Sequence, residues 1–316
     1  MQFGLDVGTY GALATRTHIL ALAEFAEHYQ FASVWLADHI VFPREIQSRY
    51  PYSPSGAFPV DPDQQLLEPL ATMGVLVGAT RRVRIGTAVL VMPYRHPLLL
   101  AKMLTTLDQL SGGRIVLGAG VGWLEEEFAA LDTAPFASRG RVTDEYLDFF
   151  KRACAGGTIE SDGEFYQLAP AALVPGSVQR PHIPVMIGGT TNVALRRVAR
   201  IGDGWLSVAV PMAAMPDRLA VLERACDAGS RDWRELALHH KLFINIGERR
   251  ESVHGGREPG TGSLAEVQDD VARLAELGFS HVIVRYIGND AALQQDQLLT
   301  FVNEVMPLFA HGAKHA

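Results

Sequence analysis

Short apolar runs alternate with segments of helical periodicity along most of this chain. Ile19, Leu22, Ala23 and Ala26 fall on one face of a helix, and a second helical pattern begins at Pro97. Between the helical segments, eight apolar runs have the length and composition of buried strands. The predicted strands cover residues 3–6, 33–37, 84–91, 115–119, 184–187, 204–208, 238–246 and 281–285.

This alternation predicts repeated βαβ units in a parallel sheet. Eight such units in a chain of 316 residues favour a (β/α)8 barrel, since that fold takes about 250 residues and leaves the rest for loops. A doubly wound α/β sheet is the competing architecture, because ring closure leaves no mark in a sequence. No linker divides the chain, so we expect a single domain over residues 1–316.

Two long segments carry most of the additional length. Residues from about 40 to 65 are rich in proline and lack periodicity, and residues from about 247 to 263 are polar and rich in glycine. Each follows a predicted strand, so we expect each at the C-terminal face, where barrel active sites lie. The segments 40–65 and 247–263 are therefore predicted to form a lid and a mobile loop. The connection 158–180 is expected to contain a short hairpin.

Charge and composition exclude several classes of partner. The 28 basic and 35 acidic residues give a formal charge of −7 without a Lys/Arg run, which argues against nucleic-acid binding. No apolar run reaches the roughly 20 residues of a membrane span, and the start MQFGLDVG lacks the pattern of a signal peptide. Cys154 and Cys226 have no Cys or His companions, which is typical of reduced core thiols in a cytoplasmic protein.

Several common catalytic motifs are absent from the sequence. GxxxxGK[ST], HExxH and GxSxG do not occur, and GAGVGW at residues 118–123 has Trp123 where a dinucleotide fingerprint needs its third glycine. His239 and His240 are neighbours on a predicted strand and point to opposite faces, so they cannot bind one ion together. We therefore predict no metal site.

The ends of the predicted strands carry the remaining candidate chemistry. The second strand ends in Asp38 and His39, directly before the predicted lid. The third strand contains the small residues 86–88. Either a flat group lies against this part of the backbone, or the small residues form a bulge that only relieves crowding by a neighbour. After the fifth strand, Gly188–Thr191 is either a phosphate-binding turn at a helix N-terminus or a plain turn with a threonine cap.

Four segments together resemble the luciferase-like monooxygenase superfamily, and most closely its branch of oxidoreductases that depend on the deazaflavin coenzyme F-420. The segments are GTAVLVMPYRHP, TLDQLSGGR, LGAGVGWLEEEFAALD and PVMIGGTTNVALRRVARIGDGW. The resemblance runs from about residue 1 to 235 and includes the insertion YPYSPSG. It implies a (β/α)8 barrel with a flavin or deazaflavin at its C-terminal mouth.

The resemblance also implies positions for the cofactor site. Asp38 and His39 would lie beside the reactive part of the ring, and a non-prolyl cis bond between Ala88 and Val89 would form a bulge behind it. Gly188 to Thr191 would bind phosphate. The implied cofactor-binding residues are Asp38, His39, Ala88, Val89, Gly120, Gly188, Gly189, Thr190 and Thr191.

A substrate pocket is expected on the exposed face of the ring. Its predicted lining consists of Tyr50, Tyr52, Phe58, Met92 and Trp123. Some deazaflavin enzymes carry an acidic Glu where this chain has Trp123. The three glutamates at 125–127 are interpreted as the start of a helix.

The resulting hypothesis is hydride transfer between coenzyme F-420 and a small organic substrate. His39 would supply or accept the accompanying proton or bond the ring carbonyl, and Asp38 would orient that imidazole or hold the local backbone. One alternative is a monooxygenase that uses reduced FMN and oxygen. Others are a non-catalytic flavin-binding protein and a flavin-free barrel hydrolase or isomerase. The resemblance further implies a homodimer.

Overall fold

Eight parallel strands close into a barrel in the computed structural model, which describes residues 1–53, 55–58 and 61–309. In chain order the strands are β1 (Gln2–Asp6), β2 (Ser33–Leu36), β3 (Arg84–Thr87), β4 (Leu90–Val91), β5 (Ile115–Gly120), β6 (Gly157–Asp162), β7 (Gln167–Leu173), β8 (Val185–Gly188), β9 (Gly204–Val208), β10 (Ala237–Ile246), β11 (Thr261–Gly262) and β12 (His281–Tyr286). The pairing order β1, β2, β3, β5, β8, β9, β10, β12 returns to β1, so the ring is complete. The predicted (β/α)8 barrel is confirmed.

The remaining strands lie outside the ring, except for β4, which continues one of the barrel strands. β6 and β7 form the antiparallel hairpin predicted in the connection before the fifth barrel strand. β11 pairs with the end of β10 inside the segment 247–263. β4 continues the third barrel strand, which begins as β3.

Helices cover the outside of the barrel between successive strands. They are α1 (Arg16–His28), α2 (Pro69–Ala79), α3 (Pro97–Ser111), α4 (Glu125–Leu131), α5 (Arg139–Cys154), α6 (Asn192–Ile201), α7 (Met215–Ala228), α8 (Leu264–Glu276), α9 (Ala291–Thr300) and α10 (Met306–Phe309), the last two joined by a π-helical turn at Phe301–Val305. Local sequence sets their ends. Thr15 caps α1, and Gly112 ends α3 in the left-handed conformation with φ of 68°.

The interior of the barrel holds a small apolar cluster below the mouth. Its buried members are Trp35, Val116, Met186, Leu206 and Ile283. A Cβ at Gly86 would lie 2.5 Å from the indole of Trp35, so the smallness of that position is explained by Trp35 itself. Of the two readings of residues 86–88, crowding by a neighbour is the one that applies at Gly86.

The third barrel strand contains one extra residue. Gly86 is opposite Val116 and Leu90 is opposite Ala119, so four residues on one strand span three on the other. Such an insertion is a β-bulge, which bends a strand and redirects its side chains. The peptide bond between Ala88 and Val89 lies in this bulge and is cis.

Some sequence predictions concern the chain as a whole. Cys154 and Cys226 are free and buried, as expected of core thiols. Within the described ranges, no helix combines the length and apolar character required to cross a membrane. Positions 54, 59 and 60 of the predicted lid, and 310–316 of the predicted domain, lie outside the described residues.

Candidate active site

His39 follows β2 and forms a buried hydrogen bond with Glu127 of α4. Nδ1 of His39 lies 2.7 Å from Oε2 of Glu127, and the two side chains are 8% and 0% exposed. No other described residue forms a hydrogen bond with the His39 ring. Because Nδ1 is held by a carboxylate, Nε2 is the nitrogen left for a ligand.

Glu127 accepts hydrogen bonds from four donors. Besides His39, the hydroxyl of Tyr94 donates to Oε2 at 2.8 Å, and the N–H groups of Ile40 and Val41 donate to Oε1 at 2.6 and 3.1 Å. Burial alone would raise the pKa of Glu127, but these hydrogen bonds, first that of His39, lower it below its ordinary value. Glu127 is therefore a carboxylate that fixes both the imidazole and the first residues of the lid.

Asp38 binds Arg95. Its two oxygens accept from the guanidinium at 2.7 and 2.9 Å, a bidentate geometry that orients both groups. Oδ2 also accepts the N–H of Val91 at 2.8 Å, and Arg95 extends to Glu68 at 2.6 Å. Of the two roles predicted for Asp38, these contacts support holding the local backbone and not orienting His39.

Aromatic side chains of the lid pack over His39 and Trp123. The ring centroid of Phe58 lies 5.1 Å from that of His39 and 5.3 Å from that of Trp123. Tyr50 lies 4.7 Å from Phe58 and 5.4 Å from Tyr52. The predicted lid residues and Trp123 thus lie together beside His39, while their contact with a substrate stays a prediction.

Sequence reasoning missed two further members of this aromatic cluster. Tyr10, in the loop after β1, has its ring centroid 6.2 Å from that of His39. Phe42, at the start of the lid, lies 5.1 Å from it. Tyr10 follows a strand end, which is the one local signal that it belongs to the mouth.

The glutamates at 125–127 begin α4 as predicted, and they also anchor the lid. Oε1 of Glu126 accepts the N–H groups of Gln47 and Ser48 at 2.6 and 3.0 Å. The hydroxyl of Ser48 in turn accepts the N–H of Glu125 at 3.1 Å. Together with the bonds of Glu127 to Ile40 and Val41, these contacts fix both ends of segment 40–48 to one helix.

The side chain of Val89 occupies the space above two glycines. A Cβ at Gly188 would lie 2.5 Å from Cγ1 of Val89, and one at Gly120 would meet Cγ2. The predicted positions Ala88, Val89, Gly120 and Gly188 are therefore adjacent in the barrel. Val89 and its supporting glycines form an apolar wall at the mouth, and the contact of this wall with a flat ring stays a prediction.

The turn after β8 leads into α6. Gly189 has a φ of +111°, a conformation that favours glycine, and its carbonyl accepts the indole N–H of Trp205 at 2.8 Å. Thr191 caps the helix by accepting the N–H of Ala194 at 3.2 Å. A helix begins with four N–H groups that lack internal acceptors, so the cap and a phosphate ligand at Thr190 are compatible. Phosphate binding here stays a prediction.

Met92 is placed differently from the prediction. It begins a 3-10 turn at Met92–Tyr94, is 1% exposed and belongs to the main core between barrel and helices. The turn directs it into packing, and it does not join the lid aromatics. We correct its predicted role in the substrate pocket to one in the core.

The side chains of His239 and His240 point to opposite faces of β10, as predicted. His239 lies inside the barrel, stacked on His281 with centroids 4.6 Å apart, whereas Nδ1 of His240 bonds the hydroxyl of Ser207 at 2.7 Å. Among the residues that the structure describes, no group of three or more His, Cys, Asp or Glu side chains is arranged to hold a metal.

Comparison with known proteins identifies the family. The family model described as luciferase-like monooxygenase matches residues 2–273. The chain belongs to the luciferase-like monooxygenase family. This agrees with the resemblance read from the sequence, and members of this family are flavin- or F-420-dependent oxidoreductases or monooxygenases.

Two relatives by sequence and one solved structure show what this chain is similar to. An uncharacterised protein of Mycobacterium tuberculosis is 34% identical over 195 residues, which are 62% of this chain and 66% of that protein. Limonene 1,2-monooxygenase of Rhodococcus erythropolis is 26% identical over 247 residues, 75% of this chain and 58% of that enzyme. A solved structure of an F420-dependent secondary alcohol dehydrogenase, in complex with an F420–acetone adduct, superposes with a TM-score of 0.77 at 17% identity and covers 97% of this chain and 98% of its own. The last likeness establishes the fold.

Proposed function

We propose that this protein is an F-420-dependent oxidoreductase that transfers a hydride between the deazaflavin and a small organic substrate. The observation that carries the proposal is the position of His39. Its Nδ1 is held by Glu127 at 2.7 Å, and it lies at the same barrel mouth as the Val89 bulge. A fixed proton-transfer group beside an apolar wall is the minimal arrangement for hydride chemistry on a flat ring.

The mouth has features that fit a deazaflavin. Val89, supported by Gly120 and Gly188, offers a flat ring an apolar surface. The N-terminus of α6, entered through Gly189 and Thr190, offers N–H groups and a positive dipole end to a phosphate. Ala88 and Thr191 complete the set of residues that would hold the cofactor, with Asp38 supporting the backbone around them.

Five residues of this chain have a defined task in the proposed reaction. The bound deazaflavin would supply or accept the hydride. His39 would exchange the accompanying proton through Nε2, and the carboxylate of Glu127 would keep the imidazole in one tautomer and stabilise its protonated form. Tyr50, Phe58 and Trp123 would exclude water from the substrate.

FMN-dependent oxygenation is the second candidate function. It is favoured by the relative limonene 1,2-monooxygenase, which matches 75% of this chain, and by a 31% identical stretch of 134 residues in an FMNH(2)-dependent dimethylsulfone monooxygenase of Pseudomonas putida. The same wall and histidine would serve an FMN ring. A homodimer in the cytoplasm and a small-molecule substrate belong to the proposal in either case.

The two candidates predict different consumption of oxygen. Purified protein would be given F-420 and a panel of alcohols and ketones without oxygen, and reduction or oxidation of F-420 followed by absorbance. A parallel panel would receive reduced FMN and oxygen. Redox turnover of F-420 without oxygen supports the first function, and substrate-dependent product formation only with oxygen supports the second.

His39→Ala separates chemistry from binding in whichever assay turns over. We expect it to retain cofactor affinity within a few-fold and to lose about 10²-fold or more in turnover, the size of a general acid–base contribution. Turnover at the parental rate with unchanged cofactor binding would remove His39 from the chemistry. Cofactor binding with no turnover on either panel would favour the non-catalytic flavin-binding protein.

A further inference from the structure

Three charged side chains meet on neighbouring barrel strands, two of them near the C-terminal ends of their strands and Lys241 halfway along the ten-residue β10. Asp6 on β1 lies between Lys241 on β10 and Arg285 on β12. Nζ of Lys241 is 2.5 Å from Oδ2 of Asp6, and Nη1 of Arg285 donates to Oδ1 at 2.7 Å. Asp6 is 2% and Lys241 6% exposed, whereas the side chain of Arg285 is 20% exposed, so the cluster is buried except at its arginine.

The cluster carries an excess positive charge. Two cations face one carboxylate, and among the described residues Asp6 is the single hydrogen-bond acceptor that the Arg285 side chain reaches. A guanidinium has five N–H donors and an ammonium three, so most donors of this cluster have no acceptor among the residues that the structure describes. Buried charges are costly unless they are paired and hydrogen-bonded, and a ligand with anionic oxygens would satisfy these.

Arg285 is adjacent to the aromatic cluster of the candidate active site. Its guanidinium carbon lies 5.1 Å from the ring centroid of Tyr10, whose ring lies 6.2 Å from His39 and 5.8 Å from Phe58. A small cavity beside them is lined by Asp6, Tyr10 and Arg285 together with His18 of α1 and Gln294 of α9, and its lining does not include Lys241 or His39. The link from Arg285 to His39 therefore runs through the ring of Tyr10.

The part of the mouth that follows β2, the direct neighbour of β1, is acidic. Glu127 holds His39, and Asp38 and Glu68 share the one guanidinium of Arg95. A substrate that spans this acidic part and the cationic cluster meets a proton-transfer group at one end and, at the other, cationic donors that lack acceptors among the described residues.

We propose that Lys241 and Arg285 bind an anionic oxygen group of the substrate, a carboxylate or a phosphate, with Asp6 as the internal counter-ion. The substrate class is therefore small organic acids whose reacting carbon lies near His39. The proposal rests on the proposed function, because it names the substrate of the same site.

The test compares two probes of equal shape and different charge. Binding of benzoate and of neutral benzamide to the full chain would be measured by titration calorimetry. We expect benzoate to bind at least tenfold more tightly. Arg285→Met should abolish this preference, and Arg285→Lys, which keeps the charge, should retain most of it.

Asp6→Asn gives a prediction of opposite sign. Removing the counter-ion raises the local charge, so the benzoate preference should grow several-fold. Arg141→Met is the matched control, because Arg141 forms an exposed pair with Glu164 and should leave the preference unchanged. Thermal unfolding of each variant identifies those that fold. If Arg285→Met does not fold, Arg285→Lys and Asp6→Asn still decide the test.

Several results would overturn the proposal. Equal binding of benzoate and benzamide, or a preference that survives Arg285→Met, would do so. Titration of the same variants with F-420 decides whether the oxygens belong to the cofactor. A tenfold loss of F-420 affinity in Arg285→Met, with benzoate binding unchanged, would assign the cluster to the cofactor. If F-420 and FMN both fail to bind while the benzoate preference holds, the proposed function fails and the anion site stands.

Discussion

Gly188 and Val89 are in direct contact at the mouth of the barrel, because a Cβ at Gly188 would lie 2.5 Å from Cγ1 of Val89. Val89 reaches that position through the bulge that adds one residue to the third barrel strand. The glycine and the bulge therefore form one structural unit.

Gly188→Ala should displace Val89 and damage the proposed ring-binding wall. We expect a loss of about 1–3 kcal/mol in the free energy of unfolding, the range of overpacking substitutions, and at least tenfold weaker cofactor binding. Gly78→Ala is the control, since a Cβ there meets nothing within 4 Å in helix α2 and should stabilise by up to about 1 kcal/mol. Unchanged cofactor affinity in a folded Gly188→Ala would argue against Val89 as the wall.

Glu127→Gln should release the tautomer of His39. The carboxylate accepts from Nδ1, and an amide in its place would present its NH2 group to at least one of the same donors, which costs about 1–3 kcal/mol for the unpaired group. Nitrogen NMR of labelled histidine should show Nδ1–H in the parent and a mixture in the variant. Tyr94→Phe removes one bond to Glu127 and should preserve the tautomer. An unchanged His39 spectrum in Glu127→Gln would contradict the positioning role.

Glu126→Ala should loosen the lid. It removes the acceptor of the Gln47 and Ser48 N–H groups, which hold the lid to α4. Cleavage of segment 40–65 by a low concentration of protease should accelerate several-fold. Glu125→Ala, at an exposed neighbouring position whose backbone N–H alone bonds the lid, is the matched control; equal acceleration by both would refute the specific anchor.

Acid should destabilise the fold partly through His240. Burial lowers the pKa of His240 from 6.5 to about 4, so the unfolded chain takes up a proton that the folded chain rejects. The contribution of neutral His240 to the free energy of unfolding is complete above pH 6.5 and is lost as the pH falls towards about 4. His240→Gln, which can retain the bond to Ser207, should reduce the slope of unfolding free energy against pH by up to about 1.4 kcal/mol per pH unit.

The barrel could be predicted because its signals are local. Apolar runs and helical periodicity recur often enough to count eight units, and glycine and proline mark their ends. The pairing register of the third strand, in contrast, has no local signal in the sequence. Its extra residue is visible only as the mismatch between Gly86 opposite Val116 and Leu90 opposite Ala119, and it was inferred from resemblance.

The contacts within the site were less predictable because they join distant positions. His39 and Glu127 are 88 positions apart, and a glutamate in the first turn of a helix is adequately explained by the helix dipole. Nothing in the sequence distinguishes Asp6, Lys241 and Arg285 from other charged residues of strands. They come together only because the strands close into a ring. Met92 is the opposite case. It follows a barrel strand in the sequence and was expected at the mouth, but its 3-10 turn directs its side chain into the core.

The central claim is that the mouth formed by His39 and Val89 binds a deazaflavin or flavin. Its most direct test is a fluorescence titration of the purified protein with F-420 and with FMN, beside Gly188→Ala as the variant with a blocked wall. We predict saturable binding of one cofactor molecule per chain, tighter for F-420, and weakened at least tenfold in Gly188→Ala. Absence of binding for both cofactors to the folded parent would contradict the account.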